Sequence, residues 1–110
     1  MERLVKGDVV VLPFPFSDLS SSKKRPALVV AALEGADVIL CQITSQVKTG
    51  KYTINLTSGD FIQGSLKLTS YIRLNRLFTA DKSIILYKIG SLKDKKLKEV
   101  IDSIYNILRE

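Results

Sequence analysis

From Asp8 to Ile89 the apolar residues come in short runs or in strict alternation, separated by turn-forming clusters. That rhythm commits most of the chain to β-structure. Asp8 to Leu12 is a β-branched run that meets Pro13-Phe14-Pro15-Phe16. Prolines cannot donate to a sheet ladder, so the strand is expected to stop or reach an edge near Leu12. Ser17 to Lys24, rich in serine and lysine, reads as an exposed, mobile loop. Arg25-Pro26 restarts the chain. Ala27 to Leu33 and Asp37 to Ile43 are continuous apolar runs joined across Glu34-Gly35-Ala36, which predicts a hairpin buried over most of its surface.

Val47 to Lys51 reads as a second polar loop. Tyr52, Ile54 and Leu56 alternate with Thr53, Asn55 and Thr57, the pattern of a half-buried strand. Ser58-Gly59-Asp60 and Gln63-Gly64 mark turns. Beyond them Leu66, Leu68, Ser70 and Ile72 are expected to face one way, and Lys67, Thr69, Tyr71 and Arg73 the other. Ser83 to Ile89 supplies a final apolar strand. Only then does the period change: Leu97, Val100, Ile101, Ile104 and Leu108 recur at helical spacing, with Ser91 and Asp94 as the expected capping box. Five or six short strands and one covering helix predict a mainly β fold, a small SH3-like barrel with a C-terminal α-helix, as one domain over 1–110. A small antiparallel sheet of another topology stays open.

Charge and missing residue types narrow the chemistry. Seventeen Lys and Arg against 11 Asp and Glu give a net charge of +6. Most of that excess lies before residue 90, in the body of the domain. It favours a polyanionic partner, or an acidic protein tail that mimics one. The chain contains no histidine. That removes Ser-His and Cys-His nucleophile systems, histidine metal sites and paired-histidine cleavage of RNA. Asp8, Asp18, Glu34, Asp37, Asp60 and Asp81 are scattered, with no sequence cluster to cage a metal, and neither metal nor cofactor is expected. Cys41, the only cysteine, sits in an apolar run and reads as a small hydrophobe in a reducing cytoplasm. No apolar stretch is long enough for a membrane-spanning helix, and the N-terminal residues lack the pattern of a signal peptide.

Four segments, in order, resemble the MazF/PemK toxin family: Gly7-Asp8-Val9-Val10 running to Pro13; Lys24-Arg25-Pro26-Ala27-Leu28-Val29-Val30; Ile43-Thr44-Ser45-Gln46; and Ser70-Tyr71-Ile72-Arg73 through Leu77-Phe78-Thr79-Ala80-Asp81-Lys82 to Ile89-Gly90. Arg-Pro followed about twenty residues later by Thr-Ser-Gln is the distinctive part. The resemblance implies a cytoplasmic homodimer on an SH3-like barrel that cuts single-stranded RNA at short sequences without the ribosome. It further implies neutralisation by a cognate antitoxin whose acidic tail occupies the RNA groove. Family roles carry over to Arg25 and Thr44 as the catalytic pair, and Gln46 matches the family residue just beyond that threonine. Phe78 stands where many members carry an arginine, which bears on substrate choice more than on chemistry.

RNA brings its own nucleophile, the ribose 2′-hydroxyl. A protein need only orient sugar and phosphate and stabilise charge on the phosphoryl oxygens. Arg25 suits that task because its planar fork holds two phosphate oxygens and stays charged. Thr44 can donate a hydroxyl hydrogen bond beside it. Lys23, Lys24, Ser45, Gln46, Tyr71 and Arg73 are the candidate substrate-binding residues, with Tyr71 a better base-stacking platform than Phe14. Each assignment has a plainer rival. Arg25 could end a strand and pair with Asp8 or Asp18, Thr44 could be an ordinary strand-end residue, and Lys23 and Lys24 could be a solvated loop. Two other functions stay open: a CcdB-type protein-binding toxin acting on DNA gyrase, and a non-cutting RNA-binding relative.

Overall fold

A computed structural model describes residues 3–14, 23–47 and 49–110. The strands are β1 (Asp8–Phe14), β2 (Lys23–Ala32), β3 (Asp37–Thr44), β4 (Thr53–Leu56), β5 (Phe61–Gly64), β6 (Ser70–Asp81) and β7 (Tyr87–Leu92), followed by helix α1 (Asp94–Leu108). They form one seven-stranded sheet in the order β4-β6-β3-β2-β1-β7-β5, with every pairing antiparallel. The edge strands β4 and β5 are neighbours in sequence, linked through a 3-10 turn at Ser58–Asp60. A flat sheet of this width would hold its edges about 29 Å apart. The link from Leu56 to Phe61 reaches at most about 18 Å. The sheet must therefore curl, and it forms a half-barrel. The Thr57 amide donates to Asp60 Oδ2 at 2.8 Å, and the Lys93 amide donates to the Asp60 carbonyl at 2.9 Å, tying this link to the start of α1.

Each face of the sheet carries its own apolar cluster. On one, Leu28, Cys41, Ile43, Leu56 and Ile72 meet Val100 and Ile104 of α1. On the other, Val10, Leu12, Phe14, Val29 and Leu40 pack with Leu4, Ile85 and Ala80. Full burial of a side chain such as Val100 contributes about 1.5–3 kcal/mol. Leu97 and Ile107 extend the contact of α1, while Leu108 is 70% exposed and falls outside the stripe. Cys41 is buried, its Sγ donates to the Arg73 carbonyl at 2.9 Å, and burial pushes the thiol up to about 12.

Several boundaries differ from the sequence expectation, each for a local reason. Strand β1 runs through Pro13 to Phe14. The Val11 carbonyl accepts from Leu86, on the β7 side. Pro13, two residues on, turns its donor-less nitrogen the same way, where pairing with β7 has already ended. Residues 66–69 are a loop rather than a strand: Leu66 is partly buried against the apolar cluster that includes Val100 and Ile104, Leu68 is 65% exposed, and β6 begins at Ser70. Residues 82–84 form a 3-10 turn, with the Asp81 carboxylate accepting from the Ser83 amide at 2.8 Å. Ser91 does not cap α1. It lies in β7 and its hydroxyl donates to Asp8 Oδ1 at 3.0 Å, while Lys93 occupies the N-cap position without a side-chain cap. Residues 17–22 of the expected first loop lie outside the described residues, whereas Lys23 and Lys24 open β2.

Candidate active site

The β2–β3 hairpin brings Arg25 and Thr44 to facing positions at its open end. Its register pairs Val29 with Leu40, Leu28 with Cys41 and Ala27 with Gln42. Continued two residues further, that register sets Arg25 opposite Thr44. Thr44 in turn pairs with Tyr71, and Tyr71 with Asn55. One row thus crosses β2, β3, β6 and β4 as Arg25, Thr44, Tyr71 and Asn55. Directly opposed residues share a face of a sheet. The alternate residues Leu28, Ile43, Ile72 and Ile54 belong to the cluster beneath α1, so the row points away from the helix.

Pro26 explains why the ladder opens at this place. It pairs with Val11, whose carbonyl points toward β7, so Pro26 turns its own backbone toward β3. There it has no N–H to offer Ile43, and the β2–β3 pairing ends at Ala27 and Gln42. Arg25 and Thr44 sit just past the missing rung.

Arg25 is half-buried and makes no ion pair among the described residues. Asp8, one of its possible partners, is 1% exposed and otherwise engaged: it accepts from the Val5 amide at 2.9 Å and Ser91 at 3.0 Å, and pairs with Lys88 at 3.3 Å. Asp18 lies outside the described residues. Thr44 is 6% exposed, and its Oγ1 accepts from the Gln46 amide at 3.1 Å. That bond fixes the Thr44-Ser45-Gln46 corner and leaves the hydroxyl hydrogen to donate. Ser45 and Gln46 are exposed.

Lys23 shares the face of Arg25, two residues away, but Lys24 points to the opposite face. Tyr71 and Arg73 are half-buried on the same side of β6, with Arg73 opposite Thr53. Phe14 is a core residue, 5% exposed, its ring edge-on to Phe78 at 5.2 Å between centroids, so it is no stacking platform for a base. Gln42 and Asn55 also lie on this face and were not singled out from sequence. Counting back by two from Thr44 finds Gln42, whereas Asn55 emerges only from the pairing of β4 with β6. Lys23, Arg25 and Arg73 make the face positive, and no carboxylate stands in these rows. Sequence spacing left a spatial acidic cluster open; among the described residues no three His, Cys, Asp or Glu side chains converge.

The model of the PemK-like, MazF-like toxins of type II toxin–antitoxin systems matches residues 5–108. The chain belongs to this family. Among solved structures, this MazF-like chain is similar to MazF from Deinococcus radiodurans, at 19% identity and a TM-score of 0.78 over 100% of both chains. It is likewise similar to a mycobacterial endoribonuclease solved with its cognate antitoxin, at 16% identity and a TM-score of 0.77, covering 96% of this chain and 95% of that one. The Mycobacterium tuberculosis toxin MazF-mt6 matches at 16% identity and a TM-score of 0.73, over 93% of this chain and 96% of the other. At such identities the likeness establishes the fold. No curated protein sequence matches the chain.

Proposed function

We propose that this MazF-like chain is an endoribonuclease that cuts single-stranded RNA at short sequences, without a metal, and acts as the toxin of its toxin–antitoxin pair. The observation that carries this reading is the row joining Arg25, Thr44 and Tyr71 on the face turned away from α1. Relatives of the same fold support it, among them the mycobacterial endoribonuclease.

In the proposed reaction the ribose 2′-oxygen attacks the adjacent phosphorus and the 5′-oxygen leaves. A 2′,3′-cyclic phosphate forms on one fragment and a free 5′-hydroxyl on the other. Arg25 grips two phosphoryl oxygens and stabilises the charge that builds there. Thr44 donates its hydroxyl hydrogen to a non-bridging oxygen while Gln46 holds its oxygen from behind. Tyr71 stacks on a neighbouring base, and Lys23, Arg73, Ser45 and Gln46 bind the flanking backbone. Water carries the proton from the nucleophile and returns one to the leaving oxygen. General acid–base catalysis, worth roughly 10²- to 10⁴-fold, is then largely missing and the enzyme is slow.

The protein works as a cytoplasmic homodimer in this reading, and an antitoxin with an acidic tail blocks the positive face. The test is incubation with a long RNA in EDTA, followed by mapping of new 5′ ends and of cyclic-phosphate termini. Cutting is expected in EDTA and is abolished by a 2′-deoxy sugar at the cut. A requirement for a divalent ion, or cutting of plain DNA, overturns the proposal.

A further inference from the structure

The row across the sheet does not end at Tyr71. It reaches the edge strand β4 at Asn55, an exposed carboxamide directly opposite the Tyr71 ring position. The Leu74 amide donates to the Tyr52 carbonyl at 2.8 Å, which fixes the alternation between the two strands. Ser70, Ile72 and Leu74 turn their main chain toward β4, so Tyr71 and Arg73 turn theirs toward β3. Tyr71 and Asn55 are therefore a non-hydrogen-bonded pair, the closer kind, with Cα atoms about 4.5 Å apart. Asn55 turns its own N–H and C=O outward to the open edge of the sheet.

From these placements we infer that Asn55 reads the base of a nucleotide neighbouring the cut and is a specificity determinant of the enzyme. The inference rests on the endoribonuclease reading above. At the ordinary spacing of paired residues the row from Arg25 to Asn55 measures about 14 Å along the sheet. The amide therefore meets a neighbouring nucleotide rather than the sugar being cut. Unpaired bases expose their Watson–Crick edges, and a carboxamide, with a donor and an acceptor side by side, matches such an edge in a way that lysine or arginine cannot. Tyr71 beside it offers a flat surface on which the same base, or the one before it, stacks. Among the described residues Asn55 makes no side-chain hydrogen bond that reading a base would have to break.

The experiment compares wild-type protein with Asn55→Ala and Asn55→Asp on a long RNA of mixed sequence in EDTA, with all cut sites mapped. Asn55 is exposed on an edge strand, so both variants keep the fold, which circular dichroism checks directly. The expected result is a change confined to one position of the cut-site consensus. There Asn55→Ala loses roughly tenfold of the preference between bases, and Asn55→Asp, which lacks the amide donors, shifts the preferred base. Preferences at the other positions and the rate at the best remaining sites stay within about threefold. An unchanged consensus with undiminished cutting overturns this inference alone. Equal loss at every site makes Asn55 merely structural and also overturns it. Absence of cutting by the wild-type protein overturns the endoribonuclease reading and this inference with it.

Discussion

Replacing Arg25 separates a functional arginine from one that merely ends a strand. A structural arginine earns its place through a partner, and Arg25 has no carboxylate beside it among the described residues. Its removal therefore costs only the packing of a half-buried aliphatic stem, about 1 kcal/mol. For a chain of this size that lowers the melting temperature by about 4 °C. Activity should respond on another scale. In the proposed reaction Arg25→Ala removes the charged fork that grips the phosphoryl oxygens, and loss of one such donor group lowers the rate about 10²- to 10³-fold. Arg25→Lys keeps the charge but not the two-pronged grip, and should recover about a tenth of the wild-type rate. Single-turnover cutting of a labelled RNA in EDTA, run beside urea unfolding of the same preparations, reads both scales. Cutting by Arg25→Ala within threefold of wild type refutes the reasoning. So does a fall in stability above about 3 kcal/mol, since it would reveal a structural partner the geometry lacks.

Three further outcomes follow from the scaffold. Asp8→Ala removes a buried carboxylate that serves Val5, Ser91 and Lys88, and should destabilise the protein by about 3–5 kcal/mol, read from the urea midpoint. Gly90→Ala should cost roughly 2–4 kcal/mol, because a Cβ there meets the Gln63 carbonyl; Gly64, at φ 73° and facing the Ile89 carbonyl, should be equally intolerant. Cys41, held near 12 in the fold against an ordinary 9.0, should ignore thiol reagents at pH 8 until the chain unfolds. Since the unfolded thiol ionises first, its contribution to stability is complete below pH 9 and falls as pH rises toward 12, which urea titrations across that range would detect.

What sequence reveals here is periodicity, and what it hides is pairing. The hairpin from Ala27 to Ile43 was legible because both strands are apolar on most of their length and are joined by a glycine turn, Gly35 having φ 82°. The stripe from Leu97 to Ile104 was legible for the same kind of reason. Leu66 and Leu68 alternate with Lys67 and Thr69 just as strand residues do, yet they form a loop, because alternation says nothing about whether a partner strand is within reach. Ser91 matched a capping pattern but was claimed by buried Asp8, whose need for donors outweighs a helix end that solvent can satisfy. At the candidate site, the motifs single out Arg25 and Thr44, and the register sets them at facing positions. That Lys24 points away from them, and that Asn55 stands in their row, needed the register.

A protein without histidine has few ways to move protons near neutral pH, so in the proposed reaction catalysis must come from placement. The architecture divides that work unequally. Thr44 is nearly enclosed, held by the Gln46 amide on one side and by the ladder to Tyr71 on the other. Arg25 is tied to β1 through Leu12 but lies past the rung that Pro26 removes on the β3 side. One partner is thus fixed by the sheet, while the other keeps a long charged side chain beside an opened ladder. In the proposed reaction a phosphate that enters between them is gripped by the arginine where the sheet has no N–H rung to give up, since Pro26 offers none. The proline next to Arg25 is in this sense part of the proposed site, although it offers an RNA no donor and no charge.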